Sequence, residues 1–126
     1  MTNKKAKILI AEDEEILRRM YATKFRAEGF EVFETANGVE TLEMAKKIKP
    51  EIILLDIIMP LADGFSVLKK IKEDKTLKDI PVILLTNLAQ NNDIKEGLKI
   101  GAIDYLVKTE FTPSQVVEKV KKILKL

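Results

Sequence analysis

Residues 52–56 read Ile-Ile-Leu-Leu-Asp, and residues 82–86 read Val-Ile-Leu-Leu-Thr. Each is a run of four apolar side chains closed by one polar residue, a length that suits a strand and falls short of a helix. Successive strand side chains point to opposite faces, so an unbroken apolar run is buried on both. Strands of that kind belong to a parallel sheet covered by helices on both sides.

Three further runs rich in β-branched residues flank these two: Lys7 to Ala11, Glu31 to Thr35 and Ile103 to Val107, with the central strands taken as Ile52 to Asp56 and Pro81 to Thr86. Between them lie segments with a period near 3.6, Glu14 to Glu28, Val39 to Ile48, Phe65 to Glu73, Asn92 to Ile100 and Pro113 to Leu124. Each carries one apolar stripe, such as Leu17, Tyr21, Phe25 and Glu28, or Leu42, Ala45 and Ile48, or Val116, Val120, Ile123 and Leu124. Gly29 and Gly101 stop helices, Pro50 and Pro81 precede or open strands, and Pro113 opens the last helix after Thr112. The chain therefore predicts (βα)5, an α/β fold with parallel strands, right-handed crossovers and a doubly wound sheet. The alternating run Glu31-Val-Phe-Glu-Thr35 suits an edge strand.

Length sets the next bound. The chain has 126 residues, the size of one domain, and is expected to form a single domain over residues 1–126 with no attached output domain. Its 46% apolar and 33% charged residues are ordinary for a folded chain. There is no apolar run near the roughly 20 residues of a membrane helix, so no membrane insertion and a cytoplasmic location are expected. With no Cys and no His, thiolate and imidazole chemistry is excluded, and reactivity must come from carboxylates, hydroxyls and lysines. The net charge of +2 spreads over 22 basic and 20 acidic residues, and Lys119, Lys121, Lys122 and Lys125 fall at helical spacing as a solvated face. Direct nucleic-acid binding is not expected.

Open α/β sheets bind ligands beyond the carboxyl ends of their strands. Here those ends carry Glu12-Asp13, Asp56, Thr86-Asn87 and Lys108. Taken singly, each has a plain structural reading: Glu12 and Asp13 as caps of the first helix, Asp56 as a turn residue, Thr86 as a strand end, Lys108 as a solvated lysine. Their convergence is what points to chemistry. Three carboxylates repel one another unless a cation offsets them, and an all-oxygen acidic set suits a hard ion such as Mg²⁺. Asp56 can then act as a nucleophile towards phosphorus, with Lys108 and Thr86 binding the phosphoryl oxygens.

Four ordered motifs cover almost the whole chain: Lys7-Ile-Leu-Ile-Ala-Glu-Asp13, Ile52-Ile-Leu-Leu-Asp-Ile-Ile-Met-Pro-Leu-Ala-Asp-Gly64, Val82-Ile-Leu-Leu-Thr86 and Gly101-Ala-Ile-Asp-Tyr-Leu-Val-Lys108. They resemble the signatures of response-regulator receiver domains of the chemotaxis-regulator kind, which act in two-component signalling. The resemblance implies a flavodoxin-like sheet in the order 2-1-3-4-5. It implies Asp56 as phosphoacceptor, Glu12 and Asp13 as the acidic metal pair, and Ile58 as a backbone carbonyl ligand to Mg²⁺. Thr86 and Lys108 would bind the phosphoryl group, and Tyr105 would be the aromatic switch that turns inward when Thr86 moves. It further implies a histidine kinase or histidine phosphotransfer protein as donor and an unidentified downstream protein as target. That target would be read by the face made of the fourth helix, fifth strand and fifth helix, on a monomer or a weak phosphorylation-dependent dimer. Such a protein is not an enzyme in the ordinary sense, catalysing only its own phosphorylation and slow dephosphorylation.

Two positions depart from the family pattern. Thr109 stands where a proline usually follows the lysine, and a cis Lys108–Thr109 bond would cost about 2.5–4 kcal/mol. Asn87 stands where a small residue is usual, and its amide either crowds the phosphoryl pocket or donates into it. By the same resemblance Ile58 and Leu88 flank the path of hydrolytic water, and two apolar side chains there imply a long-lived acyl phosphate. The donor is expected to dock on the first helix and the loop after the fifth strand, with Ile16, Met20 and Thr23 offering an apolar contact. A flavodoxin-like electron carrier is disfavoured because Glu12-Asp13-Glu14-Glu15 would repel a flavin phosphate. A dehalogenase-like phosphatase needs a second acid where Ile58 stands, and a non-phosphorylated pseudo-receiver would not need the acid set.

Overall fold

The computed structural model describes residues 5–126. Its elements run β1 (Lys7–Ala11), α1 (Glu15–Ala27), β2 (Glu31–Thr35), α2 (Gly38–Ile48), β3 (Ile52–Leu55), α3 (Gly64–Glu73), β4 (Val82–Thr86), α4 (Asn91–Ile100), β5 (Asp104–Val107) and α5 (Pro113–Leu124). The five strands form one parallel sheet in the order β2-β1-β3-β4-β5. Both β1 and β3 therefore lie inside the sheet, and the strand order reverses beside β1. That reversal opens a crevice at the carboxyl ends of β1 and β3.

Strand alternation sorts the core into two layers. Leu9, Ile53, Leu55, Val82, Leu84 and Tyr105 pack towards Ala45 of α2 and Val67, Leu68 and Ile71 of α3. Their neighbours Ile8, Ile10, Ile52, Leu54, Ile83 and Leu106 pack towards Tyr21, Ala22 and Phe25 of α1 and Val116, Val117 and Val120 of α5. β3 and β4 are buried at every residue, as their unbroken apolar runs require. The alternating edge strand β2 divides its pair of apolar side chains, Val32 joining the α1/α5 layer and Phe33 touching the other.

Helix ends follow local chemistry. The Asn37 side chain accepts from the Glu40 amide at α2, Asp63 accepts from Ser66 at α3, and Thr112 and Gln115 form a reciprocal capping box at α5 with Pro113 in the first turn. Most strand and helix ends coincide with the sequence reading and the others differ by one residue; β3 stops at Leu55 and leaves Asp56 in the connecting loop. One correction concerns the α1 stripe. Glu28 does not continue it: the residue is exposed just past the helix and its carboxylate takes a 2.6 Å bond from Lys121. Ala22, fully buried, completes the stripe instead. A short 3-10 turn, Lys108–Glu110, follows β5 and was not visible in the apolar pattern. The Lys108–Thr109 peptide is trans.

Candidate functional site

The ladder itself aims the site residues. Beyond the last β1–β2 pair, Ala11 with Thr35, the Glu12 amide still donates to the Thr35 carbonyl at 3.0 Å. On the other side the Asp56 amide donates to the Ala11 carbonyl at 3.0 Å. Glu12 and Asp56 thus leave adjacent strands at the same height, held by backbone bonds rather than by their side chains. Gly64 allows α3 to begin directly over this point, since a Cβ there would lie 2.3 Å from the Asp56 carbonyl oxygen. The Gly64 amide closes the loop onto the Ile57 carbonyl at 2.7 Å.

Three carboxylates meet in the crevice. Glu12, Asp13 and Asp56 each bring one oxygen to within 4.8 Å of the other two. Glu12 and Asp56 are buried, and Asp13 is exposed at the mouth. Lys108, from the end of β5, reaches between them: its Nζ donates to Asp56 Oδ2 at 2.8 Å and to the Glu12 carboxylate. All three side chains of this ion cluster are less than a tenth exposed.

Burial governs the protonation of the cluster. It is the main force pushing the Glu12 carboxyl up to about 7, with the Asp56 charge adding to it, against the opposing bonds from Lys108 and the Glu14 amide. Burial also pulls on Lys108, but the bonds to Asp56 and Glu12 outweigh it and its ammonium is held above the ordinary lysine range. An acidic pocket with oxygen donors only, one member open to solvent, fits a hard divalent cation such as Mg²⁺. Lys108 is the internal counter-charge already present. Glu12, Asp13 and Asp56 are the residues that would hold the ion.

The remaining predicted residues lie around this centre in two groups. Thr86, fully buried at the end of β4, accepts a 3.4 Å bond from the Leu88 amide at its hydroxyl. Tyr105 is inward, 9% exposed, and its hydroxyl donates to the Leu88 carbonyl at 2.7 Å. Burial, with Asp93 and Asp56 adding, raises that phenol to about 12. Leu88 therefore joins Thr86 to Tyr105 through its backbone, while its side chain packs on the α2–α4 layer of the core. Ile58 turns the other way. Its amide donates to Asp56 Oδ1 at 3.3 Å, a turn bond that fixes the carboxylate, and its side chain is 59% exposed.

Asn87 is exposed and lines a hollow with Leu17, Met20, Tyr21, Lys108 and Phe111, between α1 and the loop after β5. Ile16, at 87% exposure, and Met20 project from α1 on this side. Two contributors are not singled out by the sequence. Tyr21 looks like ordinary core and lies within the electrostatic reach of Lys108, Glu12 and Asp56, which act on its burial-raised phenol. Arg18 donates from Nη1 to the Glu12 carbonyl at 3.0 Å, a contact between elements that no sequence pattern marks.

With this geometry in view, similarity to known proteins decides the family: residues 8–121 match the response regulator receiver domain. The chain belongs to that family. The receiver is 44% identical over 103 residues to the response regulator PleD of Caulobacter vibrioides, covering 82% of this chain and 23% of PleD. It is 37% identical over 125 residues to the "Probable transcriptional regulator ycf27" of Porphyra purpurea, covering 99% of this chain and 50% of that protein. The chain thus spans about half the length, or less, of these curated relatives. Among solved structures, the chemotaxis protein CheY4 of Vibrio cholerae superposes with a TM-score of 0.88 at 29% identity, covering 94% of this chain and 98% of CheY4. The flavodoxin-like sheet order is thereby shared with a receiver, and the family is consistent with two-component signalling. Among the described residues no helix is long and apolar enough to cross a membrane.

Proposed function

We propose that the receiver takes a phosphoryl group onto Asp56 from a phosphohistidine of a histidine kinase or phosphotransfer protein, and passes the change to a protein partner through α4, β5 and α5. The observation that carries this reading is the meeting of Glu12, Asp13 and Asp56 with Lys108 in one crevice. An Asp56 carboxylate oxygen forms the new P–O bond as the P–N bond to the donor imidazole breaks, and that imidazole leaves with the electron pair and takes up a proton. Mg²⁺, when bound, offsets the negative charge gathered on the carboxylates and phosphoryl oxygens. Glu12, Asp13, Asp56 and the Ile58 carbonyl are its proposed ligands.

Lys108 has a double role in this scheme. It balances Glu12 and Asp56 before transfer, and afterwards it donates to the phosphoryl oxygens without leaving the crevice. The Thr86 hydroxyl accepts a long bond from the Leu88 amide at 3.4 Å; after transfer its own O–H donates to a phosphoryl oxygen, and that charge-assisted bond offsets the loss of the Leu88 amide as the side chain moves. Since Leu88 also holds the Tyr105 hydroxyl, this exchange is felt at Tyr105. Its inward position is the one seen here, and on this reading the signal is a shift in the balance between inward and outward rotamers. Slow hydrolysis belongs to the same reading, with exposed Ile58 and the half-buried Leu88 as the two apolar guards. The cytoplasm is the setting it carries with it, and autophosphorylation and self-hydrolysis are its sole catalysis.

Incubation with acetyl phosphate and Mg²⁺ tests the reading. Intact-mass analysis should show one added phosphoryl group, absent in Asp56→Asn and absent when Mg²⁺ is chelated. A phosphoryl group retained by Asp56→Asn would overturn the assignment.

A further inference from the structure

We propose that Arg18 is a positioning residue that fixes the backbone carrying Glu12 and Asp13, and thereby sets the affinity of the crevice for a divalent cation. The proposal rests on the Mg²⁺ reading above, and it begins where the β1–β2 ladder ends. The Glu12 amide makes the last rung, to Thr35, but its carbonyl lies beyond the strand pairing. A carbonyl left unpaired in a buried setting costs free energy and lets the chain drift at the point where it leaves the sheet. Arg18 Nη1 supplies the bond at 3.0 Å.

The guanidinium is itself held on its second edge. Arg18 Nε donates to Glu34 Oε1 at 3.2 Å, with the two side chains 14% and 19% exposed. The other oxygen of Glu34 is taken by Arg26 Nη2 at 3.2 Å. Glu34 thus anchors two arginines from one helix onto the edge strand, yet only one of them touches the loop of the acidic pair. A planar fork with donors on two edges can bridge a carboxylate and a carbonyl at fixed spacing, which a flexible ammonium cannot. With its amide tied to β2 and its carbonyl tied to Arg18, Glu12 is pinned at both ends of its peptide planes. The direction in which Asp13 leaves the strand follows from that.

The internal difference between the two arginines supplies the control. Arg18→Met removes the Glu12 carbonyl bond and one half of the triad; Arg26→Met removes the other half together with a 3.4 Å bond to the Val32 carbonyl, which lies on the edge strand away from the acidic pair. Partners that orient a metal ligand without touching the metal typically change affinity about 10–100-fold when lost. Mg²⁺ titration calorimetry should therefore show weakening of about tenfold in Arg18→Met, a smaller loss in Arg18→Lys, and near wild-type affinity in Arg26→Met. Amide hydrogen exchange at residues 12–14, measured in chelator, should speed up in Arg18→Met and stay slow in Arg26→Met. Equal effects from the two methionine variants, or unchanged exchange and affinity in Arg18→Met, would overturn the proposal. If Arg18→Met does not fold, Arg18→Lys against Arg26→Lys gives the same comparison. A wild-type protein that binds no Mg²⁺ would instead remove the metal reading, and the exchange experiment would still decide the role of Arg18.

Discussion

The two ends of the sheet use the same kind of ion cluster in opposite surroundings. At the carboxyl end Lys108 serves two acids, Glu12 and Asp56, with all three side chains under a tenth exposed. At the amino end Glu28 serves two lysines, Lys121 at 2.6 Å and Lys24 at 3.9 Å, with the side chains about a third exposed. The inventories match in kind, and the difference is water. Desolvated charges cannot be separated without leaving one of them stranded, whereas a solvated pair exchanges one partner for water at little cost. The buried cluster is thus a store of electrostatic tension that a ligand can act on; the exposed one is a surface contact.

Removing the lysine from each end should show this most strongly. Lys108→Met leaves Glu12 and Asp56 buried side by side without a counter-charge, and breaking such a cluster typically costs about 3 kcal/mol or more. Chemical denaturation in chelator should show a loss of that order, with saturating Mg²⁺ returning part of it because the ion supplies the missing charge and binds the folded state. A variant as stable as wild type in chelator would mean that the crevice is wetter than its burial indicates.

The next largest contrast is in pH dependence. Glu12 has a folded-state value of about 7 against an ordinary 4.5. The folded state therefore holds the proton more tightly than the unfolded chain, and the associated stability is complete below pH 4.5 and is lost as pH rises through 7. In chelator, the melting temperature should fall as pH rises from 4.5 to about 7, the window set by that shift, and Glu12→Gln should flatten the slope. A slope that survives in Glu12→Gln would assign it to another group.

How much of this was legible in the sequence depends on whether a feature is local. The apolar runs 52–55 and 82–85 announced buried strands because period and length are properties of single segments, and the resemblance supplied the strand order. The rim residues were found because each follows its own strand. Arg18 and Tyr21 were not, since their roles arise from α1 folding back over β1, and a helix stripe does not record which side chain meets a carbonyl of another element. Glu28 fell on the stripe by angle, but α1 ends before it and solvent takes over. Likewise the inward Tyr105 and the shared Leu88 backbone depend on a slot between α4 and β5 that no one segment encodes.

That slot gives a third, smaller test beneath the carboxyl-end crevice. Gly97 sits in the interior of α4, where alanine would ordinarily favour the helix by about 1 kcal/mol. A Cβ there would lie 2.5 Å from Leu84 Cδ1 and 3.2 Å from the Tyr105 ring, and Leu84 is fully buried in β4. Overpacking of this kind costs about 1–3 kcal/mol, so the helix gain is outweighed. Gly97→Ala should lower stability by about 1 kcal/mol, the difference between these two terms. Tyrosine resonances should also show the Tyr105 ring moved outward. An unmoved ring with unchanged stability would show that α4 yields instead of Tyr105.

The smallest effect belongs to the amino end, and its smallness is the point. Lys121→Ala removes the 2.6 Å bond to Glu28, which in the buried cluster would be a severe loss. Here Glu28 keeps Lys24 nearby and water on its open side, and the carboxylate remains charged at neutral pH because both lysine bonds only lower its affinity for a proton. Equilibrium denaturation of Lys121→Ala in chelator should be indistinguishable from wild type, and added salt should change neither curve relative to the other, since screening weakens what little the pair contributes. The same substitution leaves Mg²⁺ affinity untouched, because the pair and the crevice lie at opposite ends of the strands. A clear destabilisation by Lys121→Ala that salt removes would mean that solvated pairs contribute more in this fold than their exposure implies, and the contrast between the two ends would then reflect geometry more than burial.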